Sequence, residues 1–500
     1  MRKKASIIFF MRVVRLGFAI LNLSVAAKYF GVSLDRDIWL LAMNAIIILD
    51  VAIWAPLNDT FRAKFLFTKE EKGIQVALEQ TKSLLLLVNL VTLLVVILIM
   101  LFPELLAKIL APSFEAKKLA PLIFMIRLLA PTFLLNQVTK IFTSILNTYQ
   151  SFIVPEVAGL ISQMCTLVVI IIFAPKMGIL SLAIAYYLGF GLLLVLLILQ
   201  MIKHKINLFD RLFEAQLKAA LPFFAFSLPF FIPHFVSQVN LVVEKSLASS
   251  SAEGMVSVLD YARKFIDIPL DVLIGILTTM LVPVLSAHFT QKIKAGFLTD
   301  FLKIYQFGLL IIAIVIGVFT GCAGAIVDFL YHKGNVETTH LQQISKLTMF
   351  YSWSAFGVFL YHIYGLSLLT VKKGKLFALY GTVAQLLMIG LNLYLFKDYG
   401  VYVFPLSLGA SHFIAAAIMA FHFPLKNRLL LMVSIKYSTL IFMLALLMYF
   451  FNKYMVFPEA AIFTIILNIV IISLILVTAI FIAKFEERKI IQKYFKKLFA

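Results

Sequence analysis

Runs of about twenty apolar residues, separated by short polar turns, recur along the whole chain and limit what it can fold into. A bilayer's hydrocarbon layer is about 30 Å thick and a helix rises about 1.5 Å per residue, so each run matches one crossing. The runs fall near 6–27, 37–57, 83–102, 120–146, 151–174, 178–202, 217–247, 255–288, 304–330, 346–370, 375–396, 401–423, 429–451 and 459–484. They predict an all-α polytopic membrane protein of about fourteen transmembrane helices. Only 14% of the 500 residues are charged, against about 25% in soluble proteins, so lipid must solvate most of this surface.

The formal charge of +20 raises nucleic acid as a partner. Its distribution argues against that, because Lys and Arg sit in short segments between apolar runs with no aromatic-interleaved basic stripe. With a cytoplasmic N-terminus, the cytoplasmic segments are Arg62 to Lys72, Lys203 to Lys218, Lys292 to Lys303, Lys372 to Lys375, Lys426 to Arg428 and the tail from Lys484. They hold roughly twice as many cations as the opposite set, which includes Lys108 to Lys118, Lys333 and Lys453. Both termini are thus expected inside a bacterial inner membrane. Met1-Arg2-Lys3-Lys4 leads into an apolar stretch without a cleavage site, so the first helix is expected to stay as an anchor. No loop is much longer than about 25 residues, which leaves no room for a soluble catalytic domain, and the chain reads as a non-enzyme. The basic tail from Glu486 reads as a short amphipathic surface helix.

A repeat divides the chain. Gly159-x3-Gln163-x14-Gly178 returns as Gly381-x3-Gln385-x14-Gly400, six helices later and in the same orientation. This predicts two parallel six-helix lobes, 1–203 and 204–424, related by pseudo-two-fold symmetry, followed by two further helices over 425–485 and the tail 486–500.

Ionisable groups within the runs mark candidate function, since each costs at least about 2.5–3.5 kcal/mol at mid-membrane. Asp260, Arg263, Lys264, Asp267 and Asp271 fall on one helical stripe of the eighth run. Two readings stand: a cavity-lining stripe, or intrahelical pairs in which Asp260 and Asp267 neutralise Arg263 and Lys264. Arg12 and Arg15 either line a cavity or snorkel to the near interface. Asp50 lies deeper; Arg127 and Lys140 lie in the fourth run, and Glu244 with Lys245 closes the seventh. Pro222, Pro229 and Pro233 bend the seventh run, and Pro269 is expected to kink the eighth. Cys165, Cys322 and the eight histidines show no ligand spacing, so no metal is expected. No phosphate loop or nucleophile elbow occurs, which removes directly bound ATP as the energy source. A basic cleft between two lobes suits a pyrophosphate-linked lipid, because Arg offers forked donors matched to phosphate oxygens.

The chain also resembles the MurJ (MviN) lipid II flippases of the MOP exporter superfamily. The resemblance is carried by Ala27-Lys28-Tyr29-Phe30-Gly31-Val32-Ser33 with Asp37, and by Ser144-Ile145-Leu146-Asn147-Thr148. Val236-Ser237-Gln238-Val239-Asn240 to Val243-Glu244 and Asp260-Tyr261-Ala262-Arg263-Lys264-Phe265 add to it. It implies alternating-access transport of an undecaprenyl-pyrophosphate-linked sugar precursor for cell-wall synthesis. Arg12, Arg15, Arg263 and Lys264 would hold the pyrophosphate, and Asp37, Asp50, Asp260 and Asp267 would line or gate the cavity. Glu244 and Asn392 would form a cation site, with Na+ or H+ coupling and no other cofactor. Membrane lipids and the lipid-linked glycan are the partners, and a monomer is expected. Lys264 stands where the family pattern Tyr-Ala-x-Arg has Arg. Ala19-Ile20-Leu21-Asn22-Leu23 replaces its Gly-x-x-Arg-Asp, and Asp50 with Ala55-Pro56-Leu57 replaces an Arg-rich stretch, which leaves the glycan open. The alternatives are a MATE-like exporter of small organic cations, an O-antigen or exopolysaccharide flippase, a membrane-embedded glycosyl- or acyltransferase, and a scaffold that carries nothing.

Overall fold

Within lipid every backbone N–H and C=O must be satisfied inside its own segment, and the helix does this without a partner. The computed structural model describes residues 2–492 apart from 150, 152, 207, 209–215, 333, 424–427, 455–460, 484 and 489–491. Regular structure among the described residues is helical throughout. The helices are α1 (Arg2–Phe30), α2 (Leu34–Lys72), α3 (Ile74–Leu101), α4 (Pro103–Leu110), α5 (Ala116–Leu129), α6 (Thr132–Thr148), α7 (Ile153–Met177), α8 (Leu180–Lys203), α9 (Leu221–Ser227) and α10 (Phe231–Ser251). They continue as α11 (Met255–Ile276), α12 (Val282–Thr290), α13 (Lys294–Tyr331), α14 (Thr338–Thr370), α15 (Gly374–Tyr399), α16 (Val403–Phe421), α17 (Arg428–Tyr454) and α18 (Ala461–Ile482).

Ten stretches are long and apolar enough to span, and one of them, Gly374–Phe421, holds both α15 and α16. Adding α1, α14 and the α11–α12 pair brings the crossings to the expected fourteen. Several helices outrun their apolar runs. The 39 residues of α2 extend about 58 Å, past the hydrocarbon into the polar segment Asn58 to Lys72.

Two compact units emerge from the tertiary contacts: residues 1–258 with 334–337 and 389–401, and residues 259–333 with 338–388 and 402–500. In the first, α2 is central. Its Ile38, Leu41, Ala45, Ile46, Trp54, Leu57, Phe61 and Phe65 are buried, with α3, α5, α6, α9 and α10 packed around it. In the second, α13 and α14 form the centre with α16, α17 and α18. An aromatic cluster of Phe301, Tyr305, Tyr364 and Phe423 fills it, with ring centroids of Phe301 and Phe423 4.5 Å apart. Lipid tails are as apolar as a core, so close approach relies on small residues. Gly357 of α14 illustrates this, since a Cβ there would collide with the Gly409 carbonyl of α16. Leu93, Leu94, Leu98, Phe442, Leu447, Phe463 and Ile466 are exposed, as lipid-facing side chains should be.

The breaks have local causes. Around Pro222, Pro229 and Pro233 the seventh span divides into α9 and α10 through 3-10 turns at Leu217–Ala220 and Leu228–Phe230. Pro269 lies inside α11, which continues through it. The backbone turns irregular at the π turn Leu277–Leu281, just before Pro283, whose missing N–H frees a carbonyl one turn earlier. Cys322 interrupts α13 with φ −140° and ψ 26°. The repeat glycines Gly178 and Gly400 adopt the same left-handed turn, at φ +54° and +55°. Three turns from the Lys-rich loop set instead use lysine in that conformation, Lys205, Lys292 and Lys372. Of the expected tail helix, only Phe485–Glu486-Glu487-Arg488 and Gln492 are described; Tyr437 donates to Glu487 at 2.6 Å and Lys436 lies over the Phe485 ring.

Candidate functional site

Loops that the charge count puts on one side of the membrane meet each other in the first unit. Ser33 caps α2 by accepting the Arg36 N–H, which sets the angle at which α2 begins. One turn in, Asp37 is 2% exposed, and its carboxylate accepts the backbone N–H of Gly254 at 2.8 Å and of Ser257 at 2.7 Å. The Ser257 hydroxyl donates to it as well, at 2.6 Å. The carboxylate therefore closes the N-terminus of α11, where orphan N–H groups and the helix dipole favour an anion.

Close backbone approach extends this contact. Asn335 donates its N–H to the Ala27 carbonyl at 3.2 Å and its side-chain amide to the Tyr29 carbonyl at 3.4 Å. Gly31 has φ +57°, and a Cβ on it would collide with the Asn335 carbonyl. A Cβ on Gly254, at φ +81°, would come within 2.5 Å of Val32. Lys118 meets Glu253 at 2.8 Å, and Ser249 donates to the Leu110 carbonyl at 2.9 Å. Four inter-helix segments, near 31–33, 111–115, 252–254 and 334–337, thus form one latch. Their meeting on a single side agrees with the alternation of spans through the tenth.

Deeper along α2, Asp50 is 3% exposed. Asn136, Gln137 and Lys140 share one face of α6 and all reach its carboxylate. The Asn136 amide donates at 2.6 Å, the Lys140 ammonium lies at 2.5 Å, and the Gln137 amide also donates. Asn58 donates to Gln137 at 3.5 Å, and Tyr186 of α8 lies within electrostatic range of Asp50. Sequence reasoning singled out Asp50 and Lys140 separately. It missed their pairing, though the spacing of Asn136, Gln137 and Lys140 at i, i+1 and i+4 presents one polar face.

The remaining candidates separate clearly. Arg15 of α1 pairs with Glu156 of α7 at 3.3 Å, a partner the sequence reading did not supply. Arg12 lies on the same helix, one turn before Arg15, and its side chain is outside the described residues. Asn392, fully buried, donates to Asn240 at 3.3 Å, while Glu244 meets its neighbour Lys245 at 3.5 Å. In the second unit, α11 packs Tyr261, Ala262, Phe265 and Ile266 inward, with Tyr261 and Phe265 against Tyr331. Arg263 pairs with Asp267 at 3.4 Å, as the i, i+4 spacing allows, while Lys264 and Asp271 are exposed. The stripe is therefore an off-core face that carries the Arg263–Asp267 ion pair. Among the described residues no group of three or more His, Cys, Asp or Glu is arranged to hold a metal ion.

Multiple apolar crossings, carboxylates and cations held inside them, and a latch drawn from several loops define a multi-pass helical membrane protein. A family model described as lipid II flippase MurJ matches residues 26–431. The chain belongs to the MurJ lipid II flippase family.

Its fold is similar to that of a lipid II flippase MurJ in an inward closed conformation, with TM-score 0.81, 21% identity, and 98% of this chain and 100% of that one covered. It is also similar to a multidrug-resistance MATE transporter in an inward-facing conformation, with TM-score 0.67, 13% identity, and 86% and 98% covered. A third similar structure is a MOP transporter from Pyrococcus furiosus described as having a binding pocket of reverse polarity, with TM-score 0.59, 15% identity, and 87% and 96% covered. No curated protein matches the chain.

Proposed function

We propose that this protein flips an undecaprenyl-pyrophosphate-linked sugar precursor, lipid II or a related lipid-linked oligosaccharide, across a bacterial inner membrane by alternating access. Family membership over residues 26–431 is the observation that carries the reading. The latch supports it physically. An alternating-access carrier needs one end that closes firmly and reversibly, and charge-assisted bonds from Asp37 to the start of α11 supply such a closure.

Arg263, Lys264, Arg12 and Arg15 are the proposed ligands of the pyrophosphate. Phosphate oxygens compete well for Arg263 and Arg15, because the carboxylates they meet, Asp267 and Glu156, are partly exposed and such pairs are weak. Asp260 and Asp267 would line the same route. Glu244 and Asn392 are the proposed cation site, with Na+ or H+ coupling. The latch side is the outer side, and both termini are cytoplasmic.

An exporter of small organic cations is the second reading, favoured by the buried carboxylate of Asp50. That carboxylate already holds the Lys140 ammonium, which leaves it poorly suited to a cationic cargo. The deciding experiment places purified protein in vesicles with fluorescent lipid II or a lipid-linked oligosaccharide and follows dithionite quenching. Protein-dependent loss of the protected inner-leaflet signal supports the reading. A signal equal to that of protein-free vesicles with both lipids, together with efflux of an organic cation, overturns it.

A further inference from the structure

We propose that α4 lies along the headgroup boundary of the leaflet on the latch side, and that lipids seated on its apolar face help to hold the latch closed. The inference depends on the latch opening and closing, not on the nature of the cargo.

The chain runs out of hydrocarbon where α4 begins. The apolar run 83–102 is about one layer long, and α3 ends with it. Phe102, at φ −123° and ψ 48°, then turns the chain into Pro103 at the start of α4. With about 100° between successive residues, Phe102 and the eight residues of α4 divide into three sides. Pro103, Ala107 and Leu110 face the protein and are buried. Glu104 and Lys108 make a second side, charged and exposed. Phe102, Leu105 and Ile109 make the third, at 63%, 64% and 44% exposed. Large apolar side chains left open beside a charged strip are the pattern of a helix set between water and acyl chains. Lipid fits this side better than a partner protein does, because it continues the lipid face of α3 through Leu94, Leu98 and Leu101.

The far end of α4 reaches the latch. Its Leu110 carbonyl accepts the Ser249 hydroxyl at 2.9 Å, and the Ser113 hydroxyl donates to the Ser249 carbonyl at 3.3 Å. Leu110 and Ser249 are both buried. Ser249 stands just before Glu253, which meets Lys118, and Gly254, whose N–H Asp37 accepts. A shift of α4 therefore either breaks a buried hydrogen bond or moves the end of α10 away from Asp37. Seating Phe102 and Leu105 in acyl chains favours the position that α4 holds here, and with it the closed latch.

The test uses the full-length protein, with Cys165 and Cys322 replaced by Ala, in vesicles of phosphatidylethanolamine and phosphatidylglycerol. A bimane label on Leu105→Cys should be quenched by dibrominated acyl chains and spared by iodide, and one on Lys108→Cys should be quenched by iodide. Quenching of the Leu105→Cys label by iodide alone, or by neither agent as under a covering second copy, overturns the placement. Coupling is read from maleimide labelling of Val256→Cys, whose native side chain is buried beside the Asp37 contact. Adding Phe102→Ser with Leu105→Ser should raise that rate about tenfold. Ser249→Ala alone should raise it about fivefold, and the two serines should add little on top of it, because the link is already cut. Glu104→Gln with Lys108→Gln, on the charged side, should label as the parent does. An unchanged rate with the two serines, an undiminished tenfold rise on the S249A background, or an equal rise from the charged-side pair overturns the coupling. Each of these results leaves the flippase reading to its own assay of lipid transfer.

Discussion

Replacing Asp37 with Asn should open the latch while leaving the helices intact. The carboxylate accepts three bonds, from Gly254 N–H, Ser257 N–H and the Ser257 hydroxyl, each 2.6–2.8 Å long. Bonds to a charged acceptor contribute about 1.5–3 kcal/mol each. Asparagine keeps one acceptor oxygen and loses the charge that complements the α11 N-terminus. A loss of about 3 kcal/mol from the closed state follows, or roughly a hundredfold in the ratio of closed to open forms. Val256 reports on this ratio, because it is 0% exposed beside the contact. In a background with Cys165 and Cys322 replaced by Ala, Val256→Cys should react slowly with a hydrophilic maleimide. Adding Asp37→Asn should raise that rate by between ten- and a hundredfold, with Asp37→Glu in between. An unchanged rate, at unchanged helicity and melting temperature, would show that the carboxylate is not what holds this end closed.

Other consequences can be measured on purified protein. Gly31→Ala adds the cost of a left-handed backbone, about 1–2 kcal/mol, to a collision with the Asn335 carbonyl, so it should raise Val256→Cys labelling as Asp37→Asn does. Gly178→Ala carries the same backbone cost with nothing within 4 Å of the new Cβ, so it should lower the melting temperature slightly and leave labelling alone. Lys264→Arg restores a forked donor at an exposed position and should tighten undecaprenyl pyrophosphate binding a few-fold, read by calorimetry. Arg15→Gln removes a half-exposed pair with Glu156, costing about 0–1 kcal/mol of stability, so any large fall in flipping rate would reflect lost substrate contact.

How much of this was legible beforehand follows from the range of each interaction. Fourteen crossings could be read from the sequence because hydrocarbon thickness imposes a length on every apolar run. The repeat pairs Gly178 with Gly400, and both take the same left-handed backbone, which the spacing alone did not state. The Arg263–Asp267 pair followed from i, i+4 spacing alone. The latch did not, because Asp37 meets residues more than two hundred positions away and nothing local marks Gly254 or Ser257 as its partners. Asp50 and Lys140 could each be recognised as costly, but pairing them requires the rotations of α2 and α6, which packing determines. Lysine at φ +56° to +61° in three turns was equally hidden, since glycine or asparagine is the residue expected there.

The function is tested most directly in living cells. The protein is depleted, and the lipid-linked pyrophosphate precursors in each leaflet are quantified with an impermeant label. The account predicts that precursor accumulates on the cytoplasmic leaflet within a few generations, and that expression of the wild type, but not of an R263A/K264A variant, restores its distribution. Unchanged leaflet ratios for every lipid-linked glycan under full depletion would contradict it.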